Sequence, residues 1–303
     1  MRRPMCARVV SRFFATLFSL LWLASPPVSA AERGALFRVS LGGHVMHLFG
    51  TLHVGLPDYY PLERRIEEAL AQSSTLALEL DPAQPQAALL RALRTHGMLD
   101  AGAGYDGMRK EGRALLDRLV AEAGYDAAGA LRYKPVLLAT LLTMAEYTKQ
   151  GYRSDLSSEA YLARLARAKG IRIVELESLD RQLAMLDRLA APERWRFLDE
   201  IMGAIASGAQ REEARAMVQA WAGADRAALD RIAARCEQDT SVSGSFVTRV
   251  LLKERNGALA DGLLQLLRQE PRTFAAVGVL HLVGNGSVPA LLQEEGASVE
   301  RIY

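Results

Sequence analysis

Two short apolar runs, more than 200 residues apart, end in the same Gly-x-x-His pattern. The first is "HLFGTLH", closing at His53, and the second is "FAAVGVLH", closing at His281. Runs of this length, bounded by glycine and turn residues, fit buried strands. "TLALELD" and "IRIVELES" are two more such runs, and "SVERIY" ends the chain as another. Segments with helical periodicity separate them. In "PLERRIEEALAQS", for example, Leu62, Ile66, Ala69 and Leu70 share one face. Strands alternating with helices specify an α/β sheet and argue against a sandwich. The expected fold is α/β, with a central mixed β-sheet, flanking helices and an inserted helical subdomain or cap.

The two ends of the chain carry the clearest strand signals. Leu36–Leu41 and His44–Leu52 predict a hairpin joined by the two-residue turn Gly42-Gly43. Thr273–Leu280 predicts the strand before His281, followed by a helix in "SVPALLQEEG". The middle is mostly helical from Pro82 to about Gln150, with breaks at the glycines near 97–107 and at Gly124. Another helix follows Ser157 and Ser158, both possible caps, and Gly170 is its expected stop. Long Ala- and Arg-rich helices cover roughly 180–238 and 245–269. These stretches are too long for simple crossovers, so roughly 85–150 and 180–269 are expected to form the helical insertion. No Pro/Ser-rich linker divides the chain, which predicts one domain over 31–303 with both Gly-x-x-His segments in one sheet.

Residues 1–30 read as a signal peptide. Arg2, Arg3, Arg8 and Arg12 precede a short apolar run, and Val28 and Ala30 are small residues at the −3 and −1 positions. The run is too short for a comfortable membrane span. Cleavage near Ala30, a periplasmic or secreted location and no stable membrane span are therefore expected. Cleavage also removes four arginines and takes the formal charge from +2 to −2, so the whole-chain basicity does not argue for nucleic acid. Cys6 leaves with that segment, and Cys236 alone can form no intrachain disulfide.

In open α/β sheets, ligands bind beyond the carboxyl ends of strands. His53 stands at such an end, with Gly50 placed to let the backbone approach a ligand and Thr51 adding a hydroxyl. His281 stands at another, before a turn containing Gly284, Asn285 and Gly286 that could offer N–H groups to an oxyanion. Glu79 ends a third strand, and Asp81 is expected on the same side by alternation. Glu177 ends a fourth and is a candidate substrate contact. Arg255, in "KERN", could pair with a site carboxylate or bind a substrate carboxylate. His44, His47 and His96 read as structural. Two histidines and a glutamate match a catalytic metal site with open positions. They serve metal-free acid–base chemistry equally well. The chain has no Gly-x-Ser-x-Gly, His-Glu-x-x-His or Walker motif, and no Gly-x-Gly-x-x-Gly before an early helix. These absences argue against the common hydrolase and nucleotide-binding classes, and a nicotinamide cofactor is rejected.

"LFGTLHVG", "LALELD", "VLLKERN" and "FAAVGVLHLVGNGSVPALLQEEGASVERIY" together resemble the TraB/PrgY/GumN family, which includes the animal Tiki proteins. "GYRSDLSSEAYLARLARAKGIRIVELESLDRQ" is similar to the family's middle block, with Gln182 downstream of its strand. The resemblance spans nearly the whole mature chain, and the secreted, GumN-type bacterial branch is the nearer one. In the Tiki branch, two Gly-x-x-His motifs and a glutamate are taken to form the site of a metal-dependent protease. The resemblance thus implies His53, Glu79 and His281 as ligands of a divalent ion (Mn, Co or Zn), with Arg255 as a further catalytic residue. It implies a peptide or small-molecule substrate. A non-catalytic periplasmic peptide- or signal-binding protein and a metal-free ester or amide hydrolase are the two other expectations.

Overall fold

The computed structural model of the chain describes residues 31–100, 104, 105, 108 and 110–303. The expected signal peptide, residues 1–30, lies outside them. The expected hairpin is present as β1 (Leu36–Leu41) and β2 (His44–Thr51). Its turn residues Gly42 and Gly43 sit at φ 58° and 88°, a region that glycine enters without the steric cost of a Cβ. The other strands are β3 (Thr75–Leu78), β4 (Arg172–Glu175), β5 (Arg272–Gly278) and β6 (Ser298–Arg301). They form one mixed sheet in the order β4-β3-β5-β2-β1-β6. β4, β3, β5 and β2 are parallel neighbours, and β1 runs antiparallel to both β2 and β6.

This order answers why the two motifs share a pattern. β2 and β5 lie side by side, with Thr51 opposite Gly278. The two Gly-x-x-His segments are therefore adjacent, one residue out of step, at the same edge of the sheet. In β5, Phe274 to Val277 are fully buried, a continuous apolar run typical of a parallel strand covered on both faces.

The longer helices are α1 (Arg64–Ala71), α2 (Lys110–Glu122), α3 (Pro135–Lys149), α4 (Ser158–Ala168), α5 (Ala191–Ser207), α6 (Ala209–Ala222), α7 (Arg226–Gln238), α8 (Glu254–Gln269) and α9 (Val288–Glu294). α4 starts where expected: the Ser157 hydroxyl accepts from the Ala160 N–H at 3.2 Å, and Gly170 follows its end at φ 67°. Its face of Leu162, Ala163 and Ala166 is buried in the sheet's core. Full burial of Leu162 alone is worth roughly 1.5–3 kcal/mol.

The described residues form two apolar cores. One surrounds the sheet; the other is helical and includes Leu116 of α2, Leu138 of α3 and Leu198 of α5. The helical insertion is narrower than the sequence suggests. Trp221 of α6, Leu229 of α7 and Leu259, Leu263 and Leu267 of α8 bury against the sheet. Periodicity marks these segments as amphipathic helices but cannot say which core they cover. Before α8 the helix widens into a π-helical stretch, Val247–Lys253. Such stretches often lie next to functional residues, and here Arg255 and Asn256 follow at once.

Candidate functional site

The carboxyl edge of the sheet gathers one side chain from each of four parallel strands. His53 follows β2, Glu79 follows β3, Glu177 follows β4 and His281 follows β5. β5 ends at Gly278, two residues earlier than expected, and a 3-10 turn over Val279–His281 carries the imidazole into a buried position.

His53 is held from one side. Its Nδ1–H donates to Glu159 Oε1 at 2.7 Å, and the Thr51 hydroxyl donates to the same oxygen at 2.7 Å. The neighbouring Ser158 hydroxyl accepts from the Leu52 N–H at 2.8 Å, which ties the start of α4 to the end of β2. The Glu159 carboxylate pulls the His53 pKa up from 6.5 to about 9, although 69% of the side-chain surface meets solvent and tempers that pull. Burial alone would raise the Glu159 pKa; the charge of His53 and the hydrogen bonds from His53 and Thr51 lower it instead. The pairing favours the imidazolium–carboxylate form of the dyad.

His281 has the opposite setting. Its side chain is 5% exposed, and its Nδ1 lies 2.6 Å from Asn256 Oδ1. Asn256 Nδ2 donates to the Gly286 carbonyl at 2.8 Å. That second bond fixes the amide's orientation, so Oδ1 must accept and His281 Nδ1 must carry the proton. Nε2 is then a bare lone pair. Burial pushes the His281 pKa down to about 4, against the pull of Glu79.

Glu79 lies within electrostatic reach of both rings. Its Oε1 accepts from the Gly278 N–H at 2.6 Å and lies 3.9 Å from His281 Nε2. Its Oε2 accepts from Arg255 Nη2. Burial favours the neutral acid, but the neighbouring cations win and hold Glu79 at about 2. His281, protonated at the low pH where Glu79 titrates, contributes most, followed by Arg255, His53 and the Gly278 N–H. Arg255 also donates to Glu177, from Nη2 at 2.6 Å and from Nε at 3.1 and 3.2 Å. Gln182 Nε2 holds the same carboxylate at 2.8 Å. Glu79, Arg255 and Glu177 form a buried charge network, with the Arg255 side chain 12% exposed.

Gly278 is the floor of this group. A Cβ built there would lie 3.3 Å from Glu79 Oε1, 3.5 Å from His281 Cδ2 and 3.8 Å from His53 Nε2. The missing side chain keeps the space between the three groups clear. Gly50, expected to play that part, has another use. A Cβ on it would come within 2.9 Å of Val279 Cγ2, and its carbonyl accepts from the Trp221 indole at 2.8 Å. Thr51 acts on Glu159 from a buried position.

Asp81 is not part of the group. β3 ends at Leu78, so alternation stops before Asp81, which pairs with Arg167 and accepts from the Ala83 N–H at 2.9 Å. In the turn after His281, Asn285 is held by Glu237. Gly284 and Gly286 take up positive φ, while the Asn285 N–H and side-chain amide both donate to Glu237 at 2.8 Å. The Asn285 backbone N–H and one proton of its amide are thereby engaged by Glu237. Sequence reasoning did not single out Glu159, Asn256 or Gly278. "SSE" at a helix start and "RN" beside Arg255 are the local signals that were there to use.

Fold and site define an α/β protein whose mixed sheet carries a histidine–carboxylate group at its carboxyl edge. The chain belongs to the TraB/PrgY/gumN family, whose sequence model matches residues 35–301. It is similar to the uncharacterized protein YbaP of Escherichia coli (strain K12), 23% identical over 256 residues that cover 83% of this chain and 89% of that protein. Uncharacterized protein YbaP of Shigella flexneri matches with the same identity and coverage. No solved structure matches the chain.

Proposed function

We propose that the chain is a metal-dependent hydrolase of peptide bonds, with His53, His281 and Glu79 as ligands of a divalent ion such as Mn²⁺, Co²⁺ or Zn²⁺. One observation carries this reading. Both imidazoles have Nδ1 engaged by a protein oxygen, His53 on Glu159 and His281 on Asn256, beside the space that Gly278 leaves clear. Metal-binding histidines are commonly oriented in this way, through the second ring nitrogen. The donor chemistry fits: two imidazole Nε2 atoms and a carboxylate are a usual set for a catalytic ion. Charge fits as well: a ligating His53 must be neutral, so Glu79, Glu159 and Glu177 outnumber Arg255 by two, the charge of a divalent ion. Among the described residues, no three His, Cys, Asp or Glu side chains already stand at ligand spacing.

Bound there, the ion would polarise the scissile carbonyl and lower the pKa of the attacking water. The chain's own residues do the rest. Asn256 keeps the His281 Nε2 lone pair free, and Glu159 takes up the positive charge that His53 carries when protonated. Arg255, held by Glu177, presents a guanidinium beside Glu79, where charge develops in acyl transfer.

A metal-free reading rests on a different observation: His53 Nδ1 pairs with the Glu159 carboxylate at 2.7 Å, which favours the protonated imidazole that a general acid needs. Peptide hydrolysis by the purified mature protein, before and after chelation, separates the two. Activity that stops with chelation and returns with Mn²⁺, Co²⁺ or Zn²⁺ is expected. Chelator-resistant turnover would favour the acid–base reading. Peptide binding without any turnover would leave a binding protein. No helix among the described residues is long and apolar enough to cross a membrane. From residues 1–30 we also infer export; retention of an epitope-tagged chain in the cytoplasmic fraction at full length would refute it.

A further inference from the structure

Beside the site lies a cavity of about 490 Å³, within the about 300–1,000 Å³ usual for ligand pockets. It opens between α3, α5, α6 and α7 and the π-helical stretch. Phe197, Ala214 and Ile232 are buried at its base. Met217, Leu251 and Leu280 wall it. Two of these touch the site's own segments. Leu280 immediately precedes His281, and the Leu251 carbonyl accepts from Arg255 Nη1 at 3.3 Å.

The rim has a different chemistry. Glu213, Arg235 and Asp239 are exposed there, and none has an ion-pair partner among the described residues. Two carboxylates against one guanidinium leave the mouth negative. Gly244 makes room for one of them, since a Cβ on it would fall 2.1 Å from the Asp239 carboxyl carbon. Cys236 lines the cavity too, but burial and then the Glu213 carboxylate push its pKa up, so it is a thiol and not a nucleophile.

We propose that this cavity receives a bulky apolar group of the substrate, a leucine- or phenylalanine-like side chain, with a positively charged group next to it at the mouth. The role in substrate selection rests on the hydrolase reading; the binding chemistry does not. The depth of apolar wall fits the first half of that ligand, and the unpaired Glu213 and Asp239 fit the second.

Two measurements test it separately. The first is fluorescence titration of the mature protein with N-phenyl-1-naphthylamine, an apolar neutral probe. Wild type and the volume-conserving Met217→Leu are expected to bind it. Met217→Trp, which fills the cavity, is expected to weaken binding at least tenfold while keeping the wild-type circular dichroism spectrum. Dodecylammonium should displace the probe better than dodecanoate, and Glu213→Gln with Asp239→Asn should remove that preference. No binding by wild type, or binding untouched by Met217→Trp, overturns the pocket.

The second measurement is kcat/KM on matched peptides carrying Phe or Ala and flanked by Lys or Glu. Met217→Trp should lower the Phe, Lys peptide at least tenfold and spare the Ala peptides. An equal loss on all peptides overturns the selection role. If wild type cleaves no peptide, the hydrolase reading fails, and the probe titration alone still decides whether the cavity binds this chemistry.

Discussion

The two Gly-x-x-His segments are alike in sequence and opposite in setting. His53 lies largely open to solvent with a carboxylate on Nδ1, and its pKa rises to about 9. His281 is buried with an amide oxygen on Nδ1, and its pKa falls to about 4. A shared pattern and neighbouring strands place the rings at one edge. The partner on the far nitrogen, and the depth of burial, decide the charge. One site thus holds an imidazolium and a neutral imidazole at the same pH, with Glu79 beside both.

The strongest way to break this pairing is to remove either ring. His53→Ala and His281→Ala should each lower peptide hydrolysis by about 10²–10⁴-fold or more, as expected for loss of an acid–base group or metal ligand. A variant with unchanged kcat/KM would remove that histidine from the site. Next comes the charge network between them. Arg255→Met leaves Glu79 and Glu177 buried without their cation and should cost roughly 3–5 kcal/mol in urea unfolding. A loss near zero would mean that solvent already reaches these carboxylates.

A smaller effect sharpens the contrast itself. Glu159→Gln should return the His53 pKa toward 6.5 and lower activity about 10- to 100-fold, the usual cost of losing a group that orients a metal-ligating histidine. An unchanged titration would show that the carboxylate is not the cause.

The pH dependence of stability follows with a definite sign. His281, lowered to about 4, makes the metal-free fold lose stability as pH falls from 6.5 through about 4, because the unfolded chain takes the proton more readily. Glu79 adds a loss as pH falls from 4.5 through about 2. His53 acts the other way: its contribution is present below 6.5 and fades as pH rises through about 9, weakly, given its exposure. Denaturant midpoints between pH 2 and 9 check the order, and His281→Gln should flatten the fall between pH 6.5 and about 4.

The sheet was legible because short apolar runs ended by turn residues have few other readings, and the hairpin turn needed two glycines. Glu79 and the histidine pair were legible for the same reason: each ends such a run. Glu159 was not. Its bond to Thr51 spans 108 residues, and locally it is one acid in the first turn of a helix. Asp81 misled because alternation was extended past the end of β3. Gly50 misled because a glycine beside a site can serve packing, here of Val279, while the glycine that keeps the site open is Gly278. Long-range partners decide such roles, and periodicity carries no record of them.

The central claim is that one carboxylate joins both histidines into a single site. Titration of the two imidazoles by nuclear magnetic resonance, in metal-free wild type and in Glu79→Gln, tests it directly. The wild type should show one histidine near 9 and one near 4, and the variant should lower both, since the Glu79 charge raises each of them. A shift of only one ring, or of neither, would mean that the two motifs are neighbours without being one site.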